Sequence, residues 1–318
     1  MKFGFRSLAS IPFLRKRKEK GIPDMHFLVQ KAIKSIRDIY DTEGPESGLM
    51  TGFQDLDAMT NGLRGGEMIV IAAHPSMGKT AFVSNIVENI ATRKEKPAAC
   101  AFFSLEMTSD CLVRRLLSSR ARVMTAVLNG GFLSETRLAN LMEVATLLAD
   151  APIWIDDTPG LSITELRAKA RHLKMQHDIR LIAIDYLQLL EASDVAGHEG
   201  RGNKITATSK AIKDIAKELD IPILVLVQLD FDSDTHGVEP SMRDLRKIGL
   251  IERDADLVAF LVRKEVYAEE EDQERFYGEA ELVLAKQRNG PTGSIPLTFH
   301  KGFMRFENRA TAAGPSLS

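Results

Sequence analysis

Gly78, Lys79 and Thr80 are the residues that first suggest chemistry, set in the run IAAHPSMGKTAF from Ile71 to Phe82. Small and apolar residues lead into a Pro-Ser-Met-Gly loop, and an apolar-periodic segment follows. That order predicts a strand, a tight loop and a helix. Consecutive backbone N–H groups in such a loop, backed by a helix N-terminus, make a cradle for an anion. The expected cradle is Pro75, Ser76, Met77, Gly78, Lys79, Thr80 and Ala81. Gly78 lets backbone approach a phosphate, Lys79 can reach the β- and γ-phosphates, and the Thr80 hydroxyl can ligate Mg²⁺. Against the pattern G-x-x-x-x-G-K-[ST], Ala73 stands where the first glycine is expected. An ordinary strand-to-helix turn is the plain alternative, and it leaves G-K-T at the junction unexplained.

Phosphate chemistry with a metal needs a carboxylate, and LIAIDYLQLL supplies one. Four apolar residues end in Asp185, at the carboxyl end of a buried strand, where open α/β sheets place their ligands. Thr80 and Asp185 are therefore the expected Mg²⁺ pair. Glu106, just past the strand of FFSLEMT, is placed to take a proton from an attacking water. Gln228 ends the run LVLVQL, where its amide could sense the γ-phosphate. Both also have innocent readings, as a helix-start acid and a strand-end polar residue.

These positions need a scaffold. Buried strands are predicted at 68–73, 99–103, 152–156, 180–186 and 222–229, with helices at 79–92, 108–122, 134–149, 163–177 and 205–219. Continuous apolar strands separated by helices point to a parallel sheet covered on both faces. Three further strands at 256–262, 280–286 and 294–300 lack helices between them and are expected as an antiparallel edge. Ahead of this body, HFLVQKAIKSIRDIYD (26–41) spaces Phe27, Leu28, Ile33, Ile36 and Tyr40 as an amphipathic helix. The turn-rich TEGPESG tethers it, and the tail after residue 308 is expected to be disordered.

With 44% hydrophobic and 27% charged residues the chain can build a packed core. A net charge of −2 excludes a surface that coats nucleic acid broadly, so any such contact must be local. No apolar run reaches the roughly 18 residues needed to span a bilayer, so no membrane role is expected. The first twenty residues hold seven Lys or Arg and one Glu, with the charge after the apolar stretch, the reverse of a secretory signal. Cys100 and Cys111 are expected to be buried, reduced thiols of a cytoplasmic protein.

The segments TGFQDLDAMTNGL, IAAHPSMGKTAF, FFSLEM, IDYLQLL, SKAIKDIAKELDIPI, DLRKIGLIERDADLVAFLVR and AKQRNGPTGSIPLTFH resemble, in order and spacing, the RecA-like motor domain of DnaB-type replicative helicases. They span roughly residues 50–306, and Ala at the first loop position is usual there. The resemblance implies a RecA-like α/β fold over residues 46–308, preceded by a basic arm and linker helix over 1–45. It implies a ring of six subunits that moves 5′ to 3′ along single-stranded DNA by hydrolysing ATP, with the linker helix docked on the adjacent motor domain. Nucleotide would lie between subunits, with Lys286 and Arg288 of AKQRNG reaching in from the neighbour, the arginine as a finger on the γ-phosphate. DLRKIG would grip the DNA backbone through Arg246, Lys247 and the backbone of Gly249, a sequence-independent contact. Arg201 and Lys204 belong to a second candidate loop at about 191–204.

The sequence departs from the family in two places. Family members usually carry a helical collar domain that meets the primase, and only a short basic arm stands in its place, so primase or loader contacts are open. Basic residues normally follow the sensor strand, whereas Asp230, Asp232 and Asp234 do so here; Lys247 replaces an expected acid and partly offsets them. Two other uses of the fold remain: an ATPase module that binds or regulates without unwinding, and a recombinase-like filament protein. The linker helix and AKQRNG favour a ring over a filament, and intact Lys79, Glu106, Asp185 and Arg288 favour catalysis.

Overall fold

The computed structural model describes residues 24–41, 48–131, 133–191, 201–230, 238–309 and 316–317. Helix α1 (Met25–Asp41) is a unit of its own. Asp24 Oδ1 accepts the Phe27 N–H at 2.8 Å and starts the helix. Its apolar residues Phe27, Leu28, Val29 and Ile33 are exposed.

The body begins at Gly48. Its elements are α2 (Gln54–Thr60), β1 (Met68–Ala73), α3 (Lys79–Ala91), β2 (Cys100–Ser104), α4 (Ser109–Ala121), α5 (Thr125–Gly130), α6 (Glu135–Ala149), β3 (Ile153–Asp156), α7 (Ile163–His177) and β4 (Leu181–Asp185). There follow α8 (Arg201–Leu219), β5 (Ile223–Gln228), α9 (Met242–Ile248), α10 (Ile251–Asp254), β6 (Leu257–Arg263), α11 (Lys264–Tyr267), β7 (Glu279–Gln287), β8 (Gly293–His300), β9 (Arg305–Asn308) and β10 (Ser316–Leu317). Among the described residues the strands form one sheet in the order β10-β8-β7-β6-β1-β5-β4-β2-β3, with β9 also pairing β8. Strands β1 to β6 run parallel, and β7 to β10 add an antiparallel edge.

Side chains alternate across the sheet and build a core on each face. Ile69, Ile71 and Ala73 of β1 join α3 residues Phe82, Val83 and Ile86 on one face. Met68, Val70 and Ala72 join Leu166 of α7 and Ile212 and Ile215 of α8 on the other. The same alternation puts Leu181 and Ala183 of β4, and Leu224 and Leu226 of β5, on the α3 face. Asp185 and Gln228, next in each series, therefore also turn toward α3.

Four expectations are corrected. Strand β6 is not part of the antiparallel edge: it pairs in parallel with β1, from Ile69↔Leu257 to Ala72↔Phe260. A parallel return needs a crossover of a dozen or more residues, and the segment carrying α9 and α10 supplies it. Cys111 is exposed, while Cys100 is buried and its thiol is pushed up to about 12 by that burial. Leu112 and Leu116 carry the inward face of α4, which turns Cys111 outward. Helix α8 starts at Arg201, so Lys204 lies on a helix; residues 192–200 of the second candidate loop lie outside the described residues. In the tail, Ser316 and Leu317 pair with β8, and 310–315 lie outside the described residues.

Candidate functional site

Strand β1 runs into the loop at its carboxyl end, and the loop closes onto α3. Gly78 has φ 91°, left-handed backbone that favours glycine, and an added Cβ would lie 3.0 Å from the Phe306 ring. Met77 and Ala81 are buried in the core, so only their backbone can serve a ligand. Two contacts hold the loop from outside. Arg263 Nη1 donates to Ser76 O at 3.0 Å while its guanidinium lies 4.6 Å over the Phe299 ring. His74 Nδ1 and the Tyr267 hydroxyl share a hydrogen bond of 2.7 Å.

Lys79 folds back over the loop, donating to Ala73 O and His74 O at 3.1 Å each. Burial lowers its pKa to about 8, against the pull of Asp185 and Glu106. Asp185 is pushed up to about 6, again chiefly by burial, although the Thr80 hydroxyl donates to its Oδ2 at 2.7 Å. Its Oδ1 is buried with no partner among the protein atoms. An anion beside Lys79 and a cation beside Asp185 would relieve both penalties together. The orphaned oxygen and the Thr80 hydroxyl fit a Mg²⁺ ion. Among the described residues no three His, Cys, Asp or Glu cluster as a metal cage; Mg²⁺ is an ion usually held by one or two carboxylates plus phosphates.

Strand register brings the remaining groups close. Gln228 is paired with Ala73, Ser104 with Asp185 and Ile184 with Val225, so all four strands end on the same edge of the sheet, β4 and β2 short of β1 and β5. Past β2, the Leu105 N–H donates to Asp185 O at 2.8 Å and Ser104 Oγ to Met107 O at 2.6 Å. This turn presents Glu106 to a cleft of about 670 Å³, also lined by Ser76, Gly78, Lys79, Thr80 and Gln228. Sequence reasoning missed Arg115, Arg263 and Lys301 on the same walls. It also missed Gln188, whose Nε2 donates to Gln228 O at 2.6 Å and fixes the end of β5. No local motif marks these residues; each comes from an element remote in sequence from the loop.

Lys286 and Arg288 lie away from this cleft. Lys286 Nζ donates to Ala255 O at 2.7 Å and to Glu252 O, and burial lowers its pKa. Arg288 Nη1 donates to Asp256 Oδ1 at 3.0 Å, and Asp256 Oδ2 accepts the Met68 N–H at 2.8 Å. Arg288 thus sits at the start of β1, whereas the loop follows its end. At about 3.3 Å per residue the strand holds those ends about 17 Å apart. The guanidinium cannot serve the phosphate site of its own chain.

Arg246 and Lys247 occupy the last turn of α9 and are largely exposed, paired with Glu252 at 3.1 Å and Asp244 at 3.2 Å. Gly249 ends that helix with extended backbone, and its N–H donates to Leu245 O at 3.4 Å. Asp230 is exposed; 231–237 lie outside the described residues. Among the described residues no helix is long and apolar enough to cross a membrane.

The family described as DnaB-like helicase C terminal domain matches residues 48–308. The replicative DNA helicase DnaC of Bacillus subtilis (strain 168) is 39% identical over 280 residues, covering 86% of this chain and 59% of that protein. The replicative DNA helicase DnaB of Geobacillus stearothermophilus is 38% identical over 290 residues, covering 91% and 62%. The chain thus spans about three-fifths of the length of these curated relatives. Among solved structures, an isolated ATPase domain superposes with a TM-score of 0.81 at 30% identity, over 90% of this chain and all of that one. A DnaB-like replicative helicase, studied for its interactions with primase, does so at 0.79 and 29%, over 92% and 68%.

Proposed function

The chain belongs to the DnaB-like helicase C-terminal domain family, and from that premise we propose that it is an ATP-driven motor that translocates on and unwinds DNA as a ring of identical subunits. The observation that carries this reading is the separation of loop and finger. Lys79, Thr80, Glu106 and Gln228 line one cleft, with Asp185 buried behind Thr80 and joined to its hydroxyl, while Arg288 waits at the opposite end of β1, usable only by another copy.

In this reading the triphosphate lies along the loop N–H groups at the start of α3, with Lys79 turning from its carbonyl partners to the β- and γ-phosphates. Thr80 and Asp185 would hold Mg²⁺, which supplies positive charge against the phosphate oxygens. The Glu106 carboxylate takes the proton of the attacking water, and Gln228 senses the γ-phosphate from the end of β5. A neighbour's Arg288 meets the charge that grows on the transferring group. Arg246, Lys247 and the Gly249 backbone face the DNA phosphates, through ion pairs that strand binding would exchange. Six copies, 5′ to 3′ movement and a cytoplasmic setting follow the family pattern; a primase or a loader is the expected partner class.

ATP hydrolysis measured with and without single-stranded DNA tests this. Turnover should rise with the strand, and Lys79→Ala should abolish it. A chain that hydrolyses ATP equally well without DNA, and displaces no strand from a forked duplex, would not be such a motor.

A further inference from the structure

We propose that Asp256 is the positioning residue for Arg288, a role that rests on reading Arg288 as a finger lent to the next copy. Asp256 is 8% exposed and spends both carboxylate oxygens. Oδ1 accepts from Arg288 Nη1 at 3.0 Å; Oδ2 accepts the Met68 N–H at 2.8 Å and the Lys213 ammonium. The backbone repeats the tie: the Arg288 N–H donates to Asp256 O at 2.9 Å and the Asp256 N–H to Met68 O at 2.9 Å. Arg288 Nη2 donates to Arg253 O, and Lys213 Nζ also to Gly66 O at 2.8 Å.

A guanidinium has five donors. Two groups on this chain, Asp256 and the Arg253 carbonyl, steer Arg288, yet its side chain stays 42% exposed. It is aimed rather than consumed. An arginine at the end of a strand would otherwise sample many rotamers, and a cation fixed before the charge develops is what stabilises a transition state. Lys213 reaches the same carboxylate from α8 and holds it in place while Arg288 draws on the other oxygen. Met68 opens β1, the strand that leads into this chain's own phosphate loop. One strand therefore joins the nucleotide a copy holds to the finger it lends.

Asp256→Asn tests the assignment, because it keeps size and an acceptor but loses the charge. In the full chain with single-stranded DNA, kcat should fall about 100-fold, the scale of a misplaced reacting group, with little change in KM for ATP. Adding Asp256→Asn to Arg288→Ala should cost nothing further, since residues acting as one unit are not additive. An equal mixture of Asp256→Asn and Lys79→Ala copies should recover turnover, as should Arg288→Ala with Lys79→Ala. Asp256→Asn/Lys213→Met removes the unpaired buried lysine and should complement in the same way, which separates positioning from misfolding. Additive losses, or a silent Asp256→Asn mixture beside a recovering Arg288→Ala mixture, would overturn the positioning role. Silence of the Arg288→Ala mixture would overturn the shared-finger reading beneath it.

Discussion

Asp185 carries a cost that the proposed metal role would explain. A carboxylate buried with one oxygen unpartnered is unfavourable when charged, and its pKa rises from 3.8 to about 6. A raised folded value means that the group contributes stability below pH 3.8 and loses it as pH rises through about 6. At neutral pH the penalty is about 3 kcal/mol, from roughly two units at about 1.4 kcal/mol each. Asp185→Asn should therefore unfold later than the wild type in the ligand-free protein at neutral pH, by up to about 3 kcal/mol, while losing ATP hydrolysis. The gain should vanish below pH 4. A variant less stable at neutral pH would show that the buried charge is already compensated. If Asp185 holds Mg²⁺ as proposed, protons compete with the cation for it, so at limiting Mg²⁺ hydrolysis should decline as pH falls and added Mg²⁺ should restore it.

Helix α3 must keep its first turn in register with the loop, and aromatic packing does this. Phe82 is fully buried, 4.7 Å from the Phe53 ring and edge-on to Phe306 at 5.5 Å. Further along the helix Glu88 is buried and pushed above its ordinary pKa by that burial, although Arg120 at 3.0 Å and Arg305 at 3.2 Å oppose the rise. Phe82→Ala should cost about 3–5 kcal/mol in urea unfolding and weaken nucleotide binding through the loop. Full affinity in a destabilised variant would mean that the loop holds its shape without the helix.

How much of this was legible depends on how far each signal reaches along the chain. The loop, Asp185 and the buried strands stand out because their pattern is local: short apolar runs that end in a polar residue, as in β4 and β5, or lead straight into the loop, as in β1. Strand β9 and helices α9, α10 and α11 span four to seven residues, too short to show a period. Without α9 and α10, β6 looked antiparallel. Arg263 and Arg115 reach the cleft, and Gln188 the end of β5, through tertiary packing alone, so no spacing announces them. Arg288 was singled out only through resemblance; its distance from the loop of its own chain is a property of the sheet.

On the scale of the whole molecule, an acidic chain can still handle DNA if its cations are local. Arg246 and Lys247 crown one short helix, and Arg288 projects from the end of the sheet away from its own cleft. Such a layout suits the proposed arrangement of copies set side by side, each completing the next one's site. ATP turnover per chain, followed on dilution alongside sedimentation, tests that claim most directly. Turnover should collapse over the same concentration range in which the assembly falls to single chains; monomers that hydrolyse ATP at the undiminished rate would contradict it.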